Sequence, residues 1–210
     1  FGARGKGGKR PAAAHYEPDT IVINLTKANG PGSLAHEWWH GLDNYFAMKR
    51  DASSKRPRAD QYLTESATTR NVSNDGVRPE MVQAFANIAR MVEATKIKER
   101  SKRLDAKRTK AYWGTGREMT ARSFESYIIA RLSDQNAAND YLANIVSEEA
   151  FGVENGYPYP TVGELAQVRA AYDSFFDAVE TRETDTGIAL ESVESETLAD
   201  TDATPAELAS

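Results

Sequence analysis

Cysteine is absent from all 210 residues, which excludes a disulfide framework and any thiolate metal site. Histidine is scarce: with three in the chain, a site built from imidazoles has almost no choice of members. No apolar run approaches the roughly 20 residues that a membrane-spanning helix needs, and no signal peptide opens the chain. These absences lead us to expect a cytoplasmic protein without a membrane segment. The chain begins at Phe1 rather than at methionine, which suggests a piece of something longer.

The net charge of −5 is unevenly spread. Residues 181–210 hold eight acids against Arg182 alone, a charge of −7, which leaves +2 on the first 180 residues. That end has few large apolar side chains and reads as an acidic, disordered tail or linker. The folded domain is therefore expected over residues 1–180. The opening Phe1–Arg10 stretch is glycine-rich and basic but matches no phosphate-binding loop, so a surface loop is expected there.

The most specific feature is His36-Glu37-Trp38-Trp39-His40, an H-E-x-x-H motif. Positions four apart share one face of a helix, so both imidazoles reach a single metal ion. Glu37 then stands where a general base for a zinc-bound water is required. Gly30-Pro31-Gly32 marks a turn, and Ser33 is a good N-cap. Leu42, Tyr45 and Phe46 continue the apolar pattern, so the helix should persist to about Met48. The plainer alternative is a core-docking helix whose histidines bond to backbone carbonyls. Trp38 and Trp39 are expected to anchor the helix in the core.

A catalytic zinc takes three protein ligands, and the third is not in the motif. The extended H-E-x-x-H-x-x-G-x-x-H form is excluded, because Asp43 and Phe46 occupy its last two defining positions. His15 lies in a loop before a strand and ranks below the carboxylates. Glu118 and Glu125, seven apart on one helical face, are the candidates. Each has a competing role: Thr115-Gly-Arg-Glu118 is a capping-box pattern, and Glu125 is spaced to pair with Arg122. Asp43 lies on the histidine face, suited to orienting an imidazole or to being an ordinary helix acid. Arg122, Tyr112 and Tyr127 are candidates for stabilising an oxyanion or, equally, for packing and ion pairing.

Elsewhere, Thr20–Leu25 reads as a strand able to pair with an extended peptide, and residues 49–79 as a long loop with a hairpin near Tyr62-Leu63. Helices are expected over about 80–97, over 117–133, and from Thr161, where Thr161 and Glu164 form a capping box. The order implies a helix-dominated α+β fold. Lys96–Lys110 holds eight Lys/Arg and two acids. No aromatic residue interleaves these charges, so a solvated face is preferred over a nucleic-acid contact. Asn139–Asn144 and Tyr157–Pro160 are irregular and receive no chemical role.

The chain resembles the zincin-like metallopeptidases whose third ligand is a glutamate, through Ala35-His-Glu-Trp-Trp-His40 and Glu118-Met-Thr-Ala121-Arg-Ser-Phe124. The latter matches an E-x-x-A-x-x-F helix, which implies Glu118 rather than Glu125 as the ligand. Together with Phe1-Gly-Ala-Arg-Gly, His15-Tyr-Glu-Pro, Asn139-Asp-Tyr-Leu-Ala-Asn144 and Tyr157-Pro-Tyr-Pro160, these segments resemble a domain of large polyvalent proteins of phages and conjugative elements. The resemblance implies a zincin-like fold, with a small β-sheet beside an H-E-x-x-H active-site helix. It implies Zn2+ on His36, His40 and Glu118, with Glu37 as the base in peptide-bond hydrolysis. The expected substrate is a peptide or protein, the parent polyprotein included, and the setting is a cytoplasm, including that of a host entered with DNA. The alternative is a non-catalytic module, zinc-stabilised or associated with nucleic acid.

Overall fold

Trp39 explains the packing. Its ring centroid lies 5.7 Å from Phe85, 5.1 Å from Phe124, 5.0 Å from Tyr172 and 5.3 Å from Phe175. The side chain is fully buried, and its one polar group, Nε1–H, donates to Thr120 Oγ1 at 3.1 Å. A buried indole needs such a partner, and here it also sets the spacing between two helices.

The computed structural model describes residues 14–26, 30–50, 61–66, 75–184 and 187–192. Strands β1 (Ala14–Glu17) and β2 (Val22–Leu25) form an antiparallel hairpin with Tyr16 opposite Ile23. Helix α1 (Leu34–Lys49) follows, then the single turn α2 (Leu63–Ser66), α3 (Pro79–Ala94) and α4 (Ile97–Asp105). Helix α5 (Gly116–Asp134), the short α6 (Glu148–Phe151) and α7 (Leu165–Asp177) complete the helical part. Strands β3 (Val179–Thr184) and β4 (Gly187–Ser192) form a second antiparallel hairpin. The class is helix-dominated α+β, as expected, with each sheet limited to two strands. No helix among the described residues is long and apolar enough to cross a membrane.

Helices α1, α3, α5 and α7 each contribute to the aromatic core around Trp39, and the β1–β2 hairpin packs on α1. Helix α5 is buried without interruption from Glu118 to Tyr127, polar positions included. Such a helix must satisfy its buried carboxylates and guanidinium internally, and this requirement builds the site described below.

Several boundaries differ from the sequence reading. The helix expected to about residue 97 stops at Ala94, because Thr95 turns extended and the Lys96 amide is capped by Glu164 Oε1 at 2.8 Å. Ile97, fully buried, then opens α4. The loop around Tyr62-Leu63 is a helical turn rather than a hairpin. The strand expected over Thr20–Leu25 begins at Val22, and its partner β1 was not anticipated. The acidic stretch expected to be a disordered tail from 181 carries strand pairing through Ser192. Phe1–Arg10, residues 51–60 and 67–74, and the rest of that acidic stretch lie outside the described residues.

Asn139–Asn144 acquires a structural role. The Leu142 carbonyl accepts the Ala35 amide at 2.9 Å, satisfying a first-turn donor of α1. The Tyr141 carbonyl accepts the Gly32 amide, and Asn144 donates back to the Gly32 carbonyl at 3.1 Å. Gly32 sits at φ +91°, and a Cβ there would lie 2.8 Å from that of Asn144, so glycine is required. The segment thus holds the entry to the histidine-bearing helix in place.

Candidate metal centre

Helix α1 places His36 and His40 one turn apart and turns both toward α5. Their Nε2 atoms lie 3.1 Å from each other. Glu118, in the first turn of α5, brings Oε2 within 3.3 Å of His36 Nε2 and Oε1 within 3.5 Å of His40 Nε2. Among the described residues, these three form the one group of metal-ligating side chains whose ligand atoms all lie within 4.8 Å of one another. His15, the remaining imidazole, is elsewhere and meets Glu17 at 3.0 Å.

The donor set fits a small divalent cation. Tetrahedral zinc with bonds of about 2.0–2.1 Å spaces its ligand atoms roughly 3.3 Å apart, the range these three pairs already span. Glu118 Oε2 is buried and makes no well-aligned hydrogen bond, although His36 Nε2 at 3.3 Å and Arg122 at 3.8 Å stand beside it, and such a group needs compensation.

Glu125 is not in the cluster but stands behind it. Its Oε2 accepts from His36 Nδ1 at 3.0 Å, which leaves Nε2 directed at His40 and Glu118. The pairing of Glu125 with Arg122, expected from their spacing, does not form. Arg122, 2 % exposed, instead approaches Glu118 at 3.8 Å. It also donates to the carbonyls of Pro158 and Trp113. Tyr157–Pro160 thereby finds its function as a carbonyl-lined wall, gripped also by Arg100 at Tyr157 and Tyr159. The capping box considered for Thr115 and Glu118 is likewise absent: the Thr115 side chain makes no cap, and its amide donates to the Tyr112 carbonyl.

Electrostatics follow from burial. Desolvation opposes a charged His36, but the carboxylates of Glu125 and Glu118 outweigh it and push the imidazole up to about 10. Burial raises Glu118, yet the imidazoles of His36 and His40 close to it hold it well below the usual carboxylate range. Glu37 is raised, first by burial, against the lowering pull of the two histidines. The Tyr16 backbone amide donates to its carboxylate, which ties strand β1 to the motif. A consequence is measurable in metal-free protein. His36 binds its proton more tightly folded than unfolded, so its contribution is complete below about pH 6.5 and is lost as pH rises toward 10. Urea denaturation in chelator is expected to give falling stability across that window; a rise would contradict the pairing.

Asp43 does not orient an imidazole. It accepts from the Thr64 amide at 2.9 Å and the Thr64 hydroxyl, capping α2 from across the core, while burial pushes it up to about 7. This cap positions Tyr62, whose ring lies 5.8 Å from that of His40. Nothing in the spacing of Tyr62 signalled that contact, because it depends on a buried acid reaching a distant turn. Of the three oxyanion candidates, Tyr127 donates to Asp173 and Arg122 is enclosed. Tyr112 is the most exposed of the three as a residue, and its hydroxyl, pushed up by burial, lies close enough to Glu118 to interact with it.

Comparison with known proteins adds one finding: residues 104–183 match the model of the large polyvalent protein-associated domain 1. No curated protein and no solved structure matches the chain. The matched stretch includes Glu118, Arg122, Glu125 and Tyr157–Pro160, whereas the H-E-x-x-H helix lies before it. Over 104–183, then, the chain is similar to a domain associated with large polyvalent proteins, and that part carries the α5 half of the cluster.

Proposed function

We propose that the protein is a zinc-dependent metallopeptidase in which His36, His40 and Glu118 hold the metal. The observation that carries this reading is the convergence of His36, His40 and Glu118 from α1 and α5: the two Nε2 atoms are 3.1 Å apart, with one Glu118 oxygen 3.3 Å from His36 and the other 3.5 Å from His40. A bound zinc supplies Lewis-acid activation of water and polarisation of the substrate carbonyl. Glu37 is the general base: next in sequence to a ligand, with its carboxyl raised by burial toward the working range of an acid–base catalyst. It takes the proton from water and returns it to the leaving nitrogen. Glu125 fixes the tautomer and orientation of His36. Tyr112 is the oxyanion donor.

Two features favour a peptide substrate and an open site. Strand β1 meets Glu37 through the Tyr16 amide, so a strand runs beside the base where an extended peptide would lie. That strand is β1 rather than the Thr20–Leu25 strand considered from sequence. The group has three members among the described residues, whereas closed structural zinc sites take four protein ligands.

Elemental mass spectrometry tests the reading. Purified protein supplied with zinc is expected to hold one zinc per chain, and His36→Ala to hold none. Absence of zinc from the parent protein, or stoichiometric zinc in the variant, would overturn it.

A further inference from the structure

Two arginines beside the cluster are held unlike their neighbours. Arg100 and Arg122 direct their guanidinium groups at carboxylates and backbone carbonyls, and Arg103 pairs with Glu99 at 3.0 Å. Arg108 lies over the ring of Tyr112 at 5.0 Å, and Arg117 over the ring of Tyr62 at 5.0 Å. Neither guanidinium makes a hydrogen bond or ion pair among the described residues. The nearby acids bond to backbone amides, although Asp105 also feels the charge of Arg108. Asp105 accepts the amides of Tyr112, Trp113 and Gly114, and Glu65 faces the Arg117 backbone amide at 3.5 Å.

Both supporting tyrosines belong to the site. Tyr112 reaches Glu118, and the Tyr62 ring packs against His40. Stacking on an aromatic face orients a guanidinium while leaving its five N–H donors free, a fork matched to a carboxylate. The interior does not cancel this charge: Glu37, Glu118 and Glu125 contribute −3, Arg122 +1 and a divalent cation +2, which sums to zero. Lys107 and Lys110, exposed beside Arg108, add to the positive rim.

We infer that Arg108 and Arg117 are specificity-determining residues that select peptides carrying Asp or Glu close to the scissile bond. This rests on the metallopeptidase reading above. A nucleic-acid ligand fits less well. Much of the basic α4 charge is answered internally, by Glu164 at Arg100, Glu93 at Lys98 and Glu99 at Arg103. The two unpaired forks, by contrast, lie over tyrosines that border the cluster.

The test uses the zinc-loaded full chain and a tryptic peptide mixture, with cleavage sites read by mass spectrometry. The parent protein is expected to enrich Asp and Glu within about three residues of the cut. Arg108→Glu/Arg117→Glu should hold the same zinc, lose the enrichment, and show KM for an acidic peptide raised roughly 3- to 10-fold. Arg108→Ala/Arg117→Ala is the milder pair, to be read if charge reversal impairs folding. Cleavage without acidic enrichment, or enrichment unchanged in both pairs, overturns the inference. So does absence of peptide preference alongside salt-sensitive binding of a single-stranded 20-mer DNA that the variants lose. Failure of zinc-loaded protein to cut any peptide would instead sink the metallopeptidase reading, and this one with it.

Discussion

Glu37→Gln is expected to retain one zinc per chain and to lose peptide hydrolysis by roughly 10²- to 10⁴-fold, the usual contribution of a positioned general base. The substitution isolates the proton-transfer step because it preserves shape. Glu37 is 7 % exposed, and its carboxylate accepts the Tyr16 amide. A glutamine carbonyl accepts the same hydrogen bond, so α1 and β1 should stay docked. What disappears is the basic oxygen. Zinc content, far-UV circular dichroism and turnover of a cleaved peptide, measured together, decide the matter. Undiminished turnover with zinc present would remove Glu37 from the mechanism.

Glu118→Ala should abolish stoichiometric zinc binding, whereas Glu125→Ala should only weaken it, by about 10- to 100-fold. The two acids face His36 from different sides, Glu118 at Nε2 and Glu125 at Nδ1. An imidazole binds metal through one nitrogen, and Nε2 is the one that also faces His40. Removing Glu118 also leaves Arg122 buried without its carboxylate. Breaking a buried charge pair costs about 3–5 kcal/mol, and the retained bonds to Pro158 and Trp113 place this case toward the low end. Zinc titration with a chromogenic chelator and urea denaturation of metal-free protein provide both readouts. The reverse order, zinc lost with Glu125 and kept without Glu118, would exchange their roles.

Much of α1 was legible because its signals are local. A turn, an i, i+4 histidine pair and an apolar stripe all lie within about 16 residues, and the observed helix ends at Lys49, one residue past the expectation. Helix α5 was located nearly as well, over Gly116–Asp134 against an expected 117–133. Its chemistry was less legible. Glu118 and Glu125 have the same local alternatives, a cap and an ion pair, and only the approach of α1 separates a cluster member from a residue behind it. The basic run at Lys96–Lys110 misled for a related reason. Read as one solvated stretch, it divides into internally paired cations and one ring-held arginine, Arg108, and the partner of Arg100 is Glu164, far away in the chain.

The sequence by itself narrowed the possible donors to imidazoles and carboxylates. With no cysteine and three histidines, a metal site at the motif uses the His36–His40 pair and a third donor, for which the carboxylates rank above His15. Helical periodicity determined that both imidazoles share a face. The tertiary structure decided which carboxylate meets them, that Asp43 serves α2 rather than an imidazole, and that Tyr62 and Tyr112 border the cluster. The physical reason is range. Capping and periodicity act over a turn or two of chain, while desolvating a carboxylate is tolerated only where distant segments supply its partners.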